Sequence, residues 1–269
     1  MNNMLLRALS GSIYVALIVL SLLFGQNYNL FTVLMGVFAV LGIIELEKLL
    51  SAKSPISDLE RFSDIFVTLV AFTGVYCFQI WIAPAILLIY LPVRMIIATT
   101  VGHKNAVRSF LYSLLAIVYV AVPLMMISIA ATELYKFVLI TFVLIWLNDT
   151  GAYLSGRTFG RTKLCERLSP KKTWEGFIGG LALAIVAGYF SHLYLGIEEI
   201  TGWEMAFYGA IVSVVGTFGD LFESMIKRTL GVKDSGNIIP GHGGILDRID
   251  SLLAVAPLVI FAIYLMMVI

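Results

Sequence analysis

Apolar runs close to 20 residues recur along the whole chain, separated by short polar breaks, and about 20 such residues span a bilayer as a helix. The pattern predicts nine helices, at Leu9–Phe24, Leu30–Leu49, Phe62–Ile80, Ile82–Ala98, Phe110–Ala131, Tyr135–Tyr153, Trp174–Leu195, Trp203–Glu223 and Asp250–Ile269. The third and fourth are divided only by a tight turn at Trp81, so eight spans is the competing number. Helices satisfy their own backbone groups in lipid, which makes the expected fold class an all-α integral membrane protein. The N-terminal run carries one basic residue, Arg7, and no small-residue cleavage site follows it. It reads as a first membrane helix.

Charge placement orients these helices. With the N-terminus inside, Arg7 and the loops 48–61, 94–108, 157–172 and 227–248 share one side. That side holds every one of the 18 lysines and arginines except Lys136. The opposite loops hold Glu133, Glu198, Glu199 and Glu204, and the last three, with Glu166, read as solvated acids. Such asymmetry is the positive-inside pattern and predicts a cytoplasmic N-terminus with an external C-terminus. Composition agrees: 60% of the 269 residues are hydrophobic and 13% charged, against about 25% charged in soluble domains. Cys77 and Cys165 lie in an apolar run and a basic loop, and no structural disulfide is expected. Residues 1–145 read as scaffold and 146–269 as the chemical half, because nearly all polar density falls between 146 and 251.

Two segments carry that density. The first runs from Asn148-Asp149, at the end of an apolar helix, through Gly156-Arg157 and Gly160-Arg161 to Ser169-Pro170-Lys171-Lys172-Thr173-Trp174-Glu175-Gly176. The second holds Asp220, Glu223, Ser224, Lys227, Arg228 and Lys233, then Pro240-Gly241-His242-Gly243-Gly244 and Asp247-Arg248-Ile249-Asp250. Asp220, Ser224 and Lys227 follow i, i+4, i+7 spacing and share one helix face. Read at that helix's C-terminal end, where the macrodipole disfavours carboxylates, Asp220 calls for a cation. Asp247 and Asp250 share a face where the ninth helix begins, and the glycine-rich loop before them lets backbone approach a ligand. Three carboxylates and a hydroxyl make a hard oxygen set suited to Mg²⁺ bridged to phosphate. Lys227, Arg228, Lys233 and Arg248 would neutralise the remaining phosphate charge. His242, flanked by glycines, is read as facing a ligand. Gly176 and Gly180 form a small-residue pair suited to helix packing. The sequence contains no P-loop, no H-E-x-x-H and no G-x-S-x-G.

The stretch Ser224-x-Ile226-Lys227-Arg228, Lys233-Asp234, Gly236, Ile239-Pro240-x-His242-Gly243-Gly244-Ile245-x-Asp247-Arg248-Ile249-Asp250 resembles the signature of phosphatidate cytidylyltransferases, the CDP-diacylglycerol synthases. The segment Asn148 to Gly176 is similar to that family's second polar region, whereas residues 1–145 match only in being apolar. The resemblance implies that CTP and phosphatidic acid give CDP-diacylglycerol and pyrophosphate with Mg²⁺, beside which a monovalent ion such as K⁺ can sit. It implies a homodimer among membrane lipids, and no nucleic-acid partner is expected. By motif position Asp220, Ser224, Asp247 and Asp250 are the metal residues, with Lys227 beside them. Lys171 and Lys172 are expected to bind triphosphate or lipid phosphate, with Asn148 and Asp149 completing the pocket. The place expected is the cytoplasmic (inner) membrane, with the site facing the cytoplasm. Two other readings stay open: an ion-coupled transporter, and a CDP-alcohol phosphotransferase, whose motif spacing is absent here.

Overall fold

The computed structural model describes residues 3–25, 29–52, 55–78, 83–100, 105–239 and 243–268. Its helices are α1 (Asn3–Phe24), α2 (Leu30–Ser51), α3 (Asp58–Phe78), α4 (Ala83–Thr100), α5 (Ala106–Ala116), α6 (Val122–Phe159), α7 (Trp174–Leu195), α8 (Gly202–Thr229) and α9 (Leu246–Val268). A π-helical turn, Ile117–Ala121, joins α5 to α6. Pro123, two residues past its end, has no N–H to return to the turn before it. Two short strands, β1 (Lys163–Cys165) and β2 (Ser169–Thr173), pair antiparallel between α6 and α7. The chain is nearly all-α, as expected, and this short hairpin is an addition to that pattern. The expected turn at Trp81 falls outside the described residues.

Among the described residues, Leu30–Ser51, Ala106–Phe159, Trp174–Leu195, Gly202–Thr229 and Leu246–Leu265 are long and apolar enough to cross a membrane. The second of these is 54 residues long. Its helical geometry breaks at Leu134 (φ −137°, ψ 68°), between the expected fifth and sixth helices. Both cysteines are free.

Packing divides the chain into two compact units, residues 1–133 with 229–249, and residues 134–228 with 250–269. In the first, α2 packs on α1, α3 and α5, and α3 packs on α4. Here Arg61 and Arg94, expected in basic loops, lie within α3 and α4. Arg94 is 1% exposed and reaches Glu60 at 2.9 Å and Asp64 at 3.7 Å. It also donates to Ser113 Oγ and Ser109 Oγ, each at 2.9 Å. Tyr90 donates to Asp64 Oδ1 at 2.7 Å, and Arg61 Nε lies 3.4 Å from buried Glu47. Helix α3 opens on a capping box, since Ser57 N donates to Glu60 Oε2 while Glu60 N donates to Ser57 Oγ. Polar residues therefore begin α3 four residues before the expected Phe62.

In the second unit, glycines let helices approach backbone to backbone. A Cβ at Gly180 of α7 would lie 2.7 Å from the Asn148 carbonyl of α6, and one at Gly176 2.8 Å from the Ala152 carbonyl. Gly219 of α8 faces Ala254 and Asp250 of α9 in the same way. Gly180→Val is expected to cost about 1–3 kcal/mol by overpacking, read as a lower thermal unfolding midpoint in detergent.

Candidate active site

Helix α6 carries the first two site residues. It runs on to Phe159, so Asn148 and Asp149 sit well inside it and not at its end as expected. The polar side chains stay helical because they face a cleft. Asn148 is buried, and its Oδ1 accepts from Ser213 Oγ of α8 at 2.6 Å. Its Nδ2 donates to Asp149 Oδ1 at 3.4 Å and Thr217 Oγ1 at 3.5 Å. Asn148 thus ties α6 to α8 and orients Asp149, which is exposed.

The hairpin supplies the lysines. Thr173 caps α7, its Oγ1 accepting from Gly176 N at 3.1 Å. Glu175 accepts from Arg161 N at 3.1 Å and from Thr162 N at 3.1 Å, and Trp174 N donates to Thr162 O at 2.9 Å. These bonds lock the strand pair to the start of α7. Lys172 then reaches Asp220 Oδ2 at 2.7 Å and Thr217 O at 3.4 Å. Lys171, its neighbour, is exposed. Both lysines, Asp149, Asp220, Arg157 and Phe177 are among the residues lining a cavity of about 380 Å³.

Helix α8 places Asp220, Ser224 and Lys227 on one face, as their spacing predicts. It continues to Thr229, however, so Asp220 lies more than two turns inside it. The macrodipole acts within the last turn, so it does not bear on Asp220. What surrounds Asp220 is charge. Asp250, on α9, lies within electrostatic reach of Asp220, Glu223 and Asp149. Ser224 Oγ donates to Asp220 Oδ1 at 3.4 Å, and Lys227 Nζ pairs with Glu223 Oε2 at 2.5 Å, both side chains of that pair being buried. Ser251 N donates to Asp250 Oδ1 at 2.7 Å. Asp149, Asp220, Glu223 and Asp250 thus lie among the ammonium groups of Lys172 and Lys227, and Lys171 and Arg157 line the same cavity as Asp149 and Asp220. Among the described residues no three His, Cys, Asp or Glu side chains form a preformed cage. Mg²⁺ does not need one, because it keeps waters and binds through one or two carboxylates plus substrate phosphates.

The described signature residues between Lys233 and Ile249 lie in the first unit. Asp247 Oδ2 accepts from Ser235 N at 3.0 Å, Ser235 Oγ at 3.0 Å and Gly244 N at 2.8 Å. Gly243 takes φ +91°, a conformation that favours glycine. Lys233 and Arg248 are exposed, and Arg228, of the second unit, is exposed with its Nε donating to Leu168 O at 3.3 Å. Pro240, Gly241 and the site residue His242 fall outside the described residues.

Residues 5–266 match the model of the cytidylyltransferase family. The chain belongs to that family. A phosphatidate cytidylyltransferase from Staphylococcus saprophyticus is 36% identical over 250 residues, covering 92% of this chain and 86% of that protein. Phosphatidate cytidylyltransferases from Staphylococcus epidermidis and Staphylococcus aureus are 40% and 42% identical over 167 residues, 61% of this chain and 64% of each relative.

For this member of the family, several acids had no role in the sequence reading and have partners in the structure. Glu175 caps the hairpin, and Glu223 pairs with Lys227. Glu204, read as solvated, closes a capping box with Thr201 at the start of α8. Glu45 accepts from Leu246 N at 3.0 Å. The capping-box spacings Ser57-x-x-Glu60 and Thr201-x-x-Glu204 were available signals. So were Glu45 and Glu47, acids inside an apolar run, which default to functional candidates.

Proposed function

We propose that this chain is a phosphatidate cytidylyltransferase, transferring CMP from CTP to phosphatidic acid to give CDP-diacylglycerol and pyrophosphate. The observation that carries the reading is the cavity in which Asp149 and Asp220 meet Lys171 and Lys172. Acids for a hard cation and ammonium groups for phosphate line one space large enough for a small ligand. Membership of the family supplies the reaction class.

The chemistry requires positioning more than proton transfer. Phosphatidate already carries an anionic phosphate oxygen near neutral pH. That oxygen attacks the α-phosphorus of CTP, a new P–O bond forms, the bond to the bridging oxygen breaks, and pyrophosphate leaves in line. Asp220, Ser224 and Asp250 would hold Mg²⁺, to which the signature adds Asp247. When bound, it supplies charge neutralisation on the phosphates. Lys172 holds Asp220 in place and offers its ammonium to the triphosphate, with Lys171 beside it. Lys227, paired with Glu223, stands on the same helix face as Asp220 and Ser224. Asn148 fixes the Asp149 carboxylate at the cavity wall. Gly243, Gly244, His242, Lys233, Arg228 and Arg248 are assigned to substrate phosphates on the signature alone.

The nine-span arrangement, the cytoplasmic N-terminus, the inner membrane, the homodimer and the K⁺ companion ion belong to the same reading. Charge asymmetry supports the orientation. The 54-residue run broken at Leu134 supports two spans there, since roughly 20 residues suffice for one.

Detergent-purified protein given labelled CTP and phosphatidate should release pyrophosphate and form labelled lipid only with Mg²⁺. Folded protein that does neither would sink the reading and favour a transporter. Lys172→Ala should lower kcat/KM for CTP about 100-fold, with a clearly smaller loss for Lys171→Ala. Equal losses would remove the distinction between the two lysines.

A further inference from the structure

Glu45 stands in the part of the chain read as scaffold, two turns before the end of α2, and is 4% exposed. Its Oε2 accepts from Leu246 N at 3.0 Å and from Ser235 Oγ at 3.2 Å. Leu246 begins α9, and its N–H is one of the donors that a helix start leaves without an internal partner. Glu45 therefore caps a helix 201 residues away in sequence, and its negative charge suits the positive end of the helix dipole.

The loop is shaped around this carboxylate. A Cβ at Gly236 would lie 2.5 Å from Glu45 Oε1, and Gly244 faces the same side chain. Among the described residues, Glu45 Oε1 is buried without a hydrogen-bond partner. Such an oxygen costs stability, so burial energy does not explain why an acid stands there. Geometry does. The hydroxyl that meets Glu45, Ser235 Oγ, also lies 3.0 Å from Asp247 Oδ2, and Ser235 N donates to that same oxygen. The chain of contacts runs Glu45, Ser235, Asp247.

We propose that Glu45 is a positioning residue for Asp247, fixing the start of α9 and, through Ser235, the direction of the Asp247 carboxylate for cation binding. This rests on the proposed function, in which Asp247 is a metal residue. Glu45 itself touches no substrate. Supporting groups of this kind change metal affinity or activity about 10–100-fold when removed.

The test uses Glu45→Met, which fills the space but accepts no hydrogen bond, Glu45→Gln, which keeps an acceptor oxygen, and Ser235→Ala, which cuts the middle link with little loss of volume. Two quantities are read on the purified full-length protein. One is Mn²⁺ affinity by electron paramagnetic resonance without CTP or lipid, and the other is the Mg²⁺ concentration for half-maximal pyrophosphate release. Glu45→Met and Ser235→Ala should each weaken Mn²⁺ binding and raise the Mg²⁺ requirement at least about tenfold, with Glu45→Gln close to the parent. Lower thermal stability with Mn²⁺ affinity and Mg²⁺ requirement within twofold of the parent would make Glu45 a packing residue only. Should Glu45→Met fail to fold, Ser235→Ala decides alone. Mn²⁺ affinity is read whether or not the parent turns over CTP, so an inactive parent overturns the function while the affinities still judge Glu45.

Discussion

Asp220→Asn is expected to reduce Mg²⁺-dependent pyrophosphate release at least about 100-fold while leaving the protein folded. Asp220 is one of the acids set around Asp250, and it also anchors Lys172 at 2.7 Å. The amide keeps the shape but removes one negative charge from the set that must hold a cation. Lys172 loses its ion pair at the same time, so two contributions to phosphate binding fall together. Unfolding is not expected, because Asp220 is only half-buried and its neighbours on α8 keep their own partners. Steady-state assays over a range of Mg²⁺ concentrations check this, with thermal unfolding as the control. Retention of more than about a tenth of parent activity would exclude Asp220 as a metal residue, since even supporting groups cost 10–100-fold. Lys136→Ala is the matching control: its ammonium sits 5.5 Å from the Tyr194 ring centre, and activity should not change.

Arg94→Ala should be the most damaging substitution for stability, at about 3–5 kcal/mol. Arg94 is buried with Glu60 and Asp64, both at 0% exposure, and its Nε and Nη2 reach two serines besides. Removing the guanidinium leaves two carboxylates without their cation in a dry interior, and each must then stay charged at high cost or take a proton. Arg94→Lys should recover little, because one ammonium cannot reproduce the planar fork that meets Glu60, Asp64, Ser109 and Ser113 together. Neutralising the acids as well, with Arg94→Met, Glu60→Gln and Asp64→Asn combined, should restore much of the loss. Thermal unfolding of the three variants in one detergent distinguishes an ion-pair requirement from simple loss of volume. A drop of the same size in the triple variant would point to packing.

The apolar runs made most helices legible, because length and hydropathy decide whether a segment can be helical in lipid. Even the interruption at Leu134 was marked, by Glu133 and Lys136 within an otherwise apolar stretch. Helix ends were less legible. Helices α6 and α8 run past Tyr153 and Glu223 because polar residues remain helical when they line a cleft, where hydropathy no longer marks the helix. The β1–β2 hairpin left almost no pattern: its strands hold three and five residues, and their order comes from Glu175 and Thr173 at the start of α7. The residues that line the cavity, Asp149, Lys171, Lys172 and Asp220, stood out because charges are dense in their two segments. The partners of Glu45, Glu47 and Asp64 were not legible, since the partners of an acid in an apolar run depend on tertiary packing.

The most direct measurement replaces Mg²⁺ with Mn²⁺, another cation that takes oxygen ligands, and records the electron–nuclear coupling to phosphorus when CTP is added to the purified protein. Parent protein should bind Mn²⁺ with coupling to nucleotide phosphorus, and Asp220→Asn and Asp250→Asn should each lose that signal. Undiminished phosphorus coupling in both variants would mean that the acids of α8 and α9 do not hold the ion that grips the nucleotide.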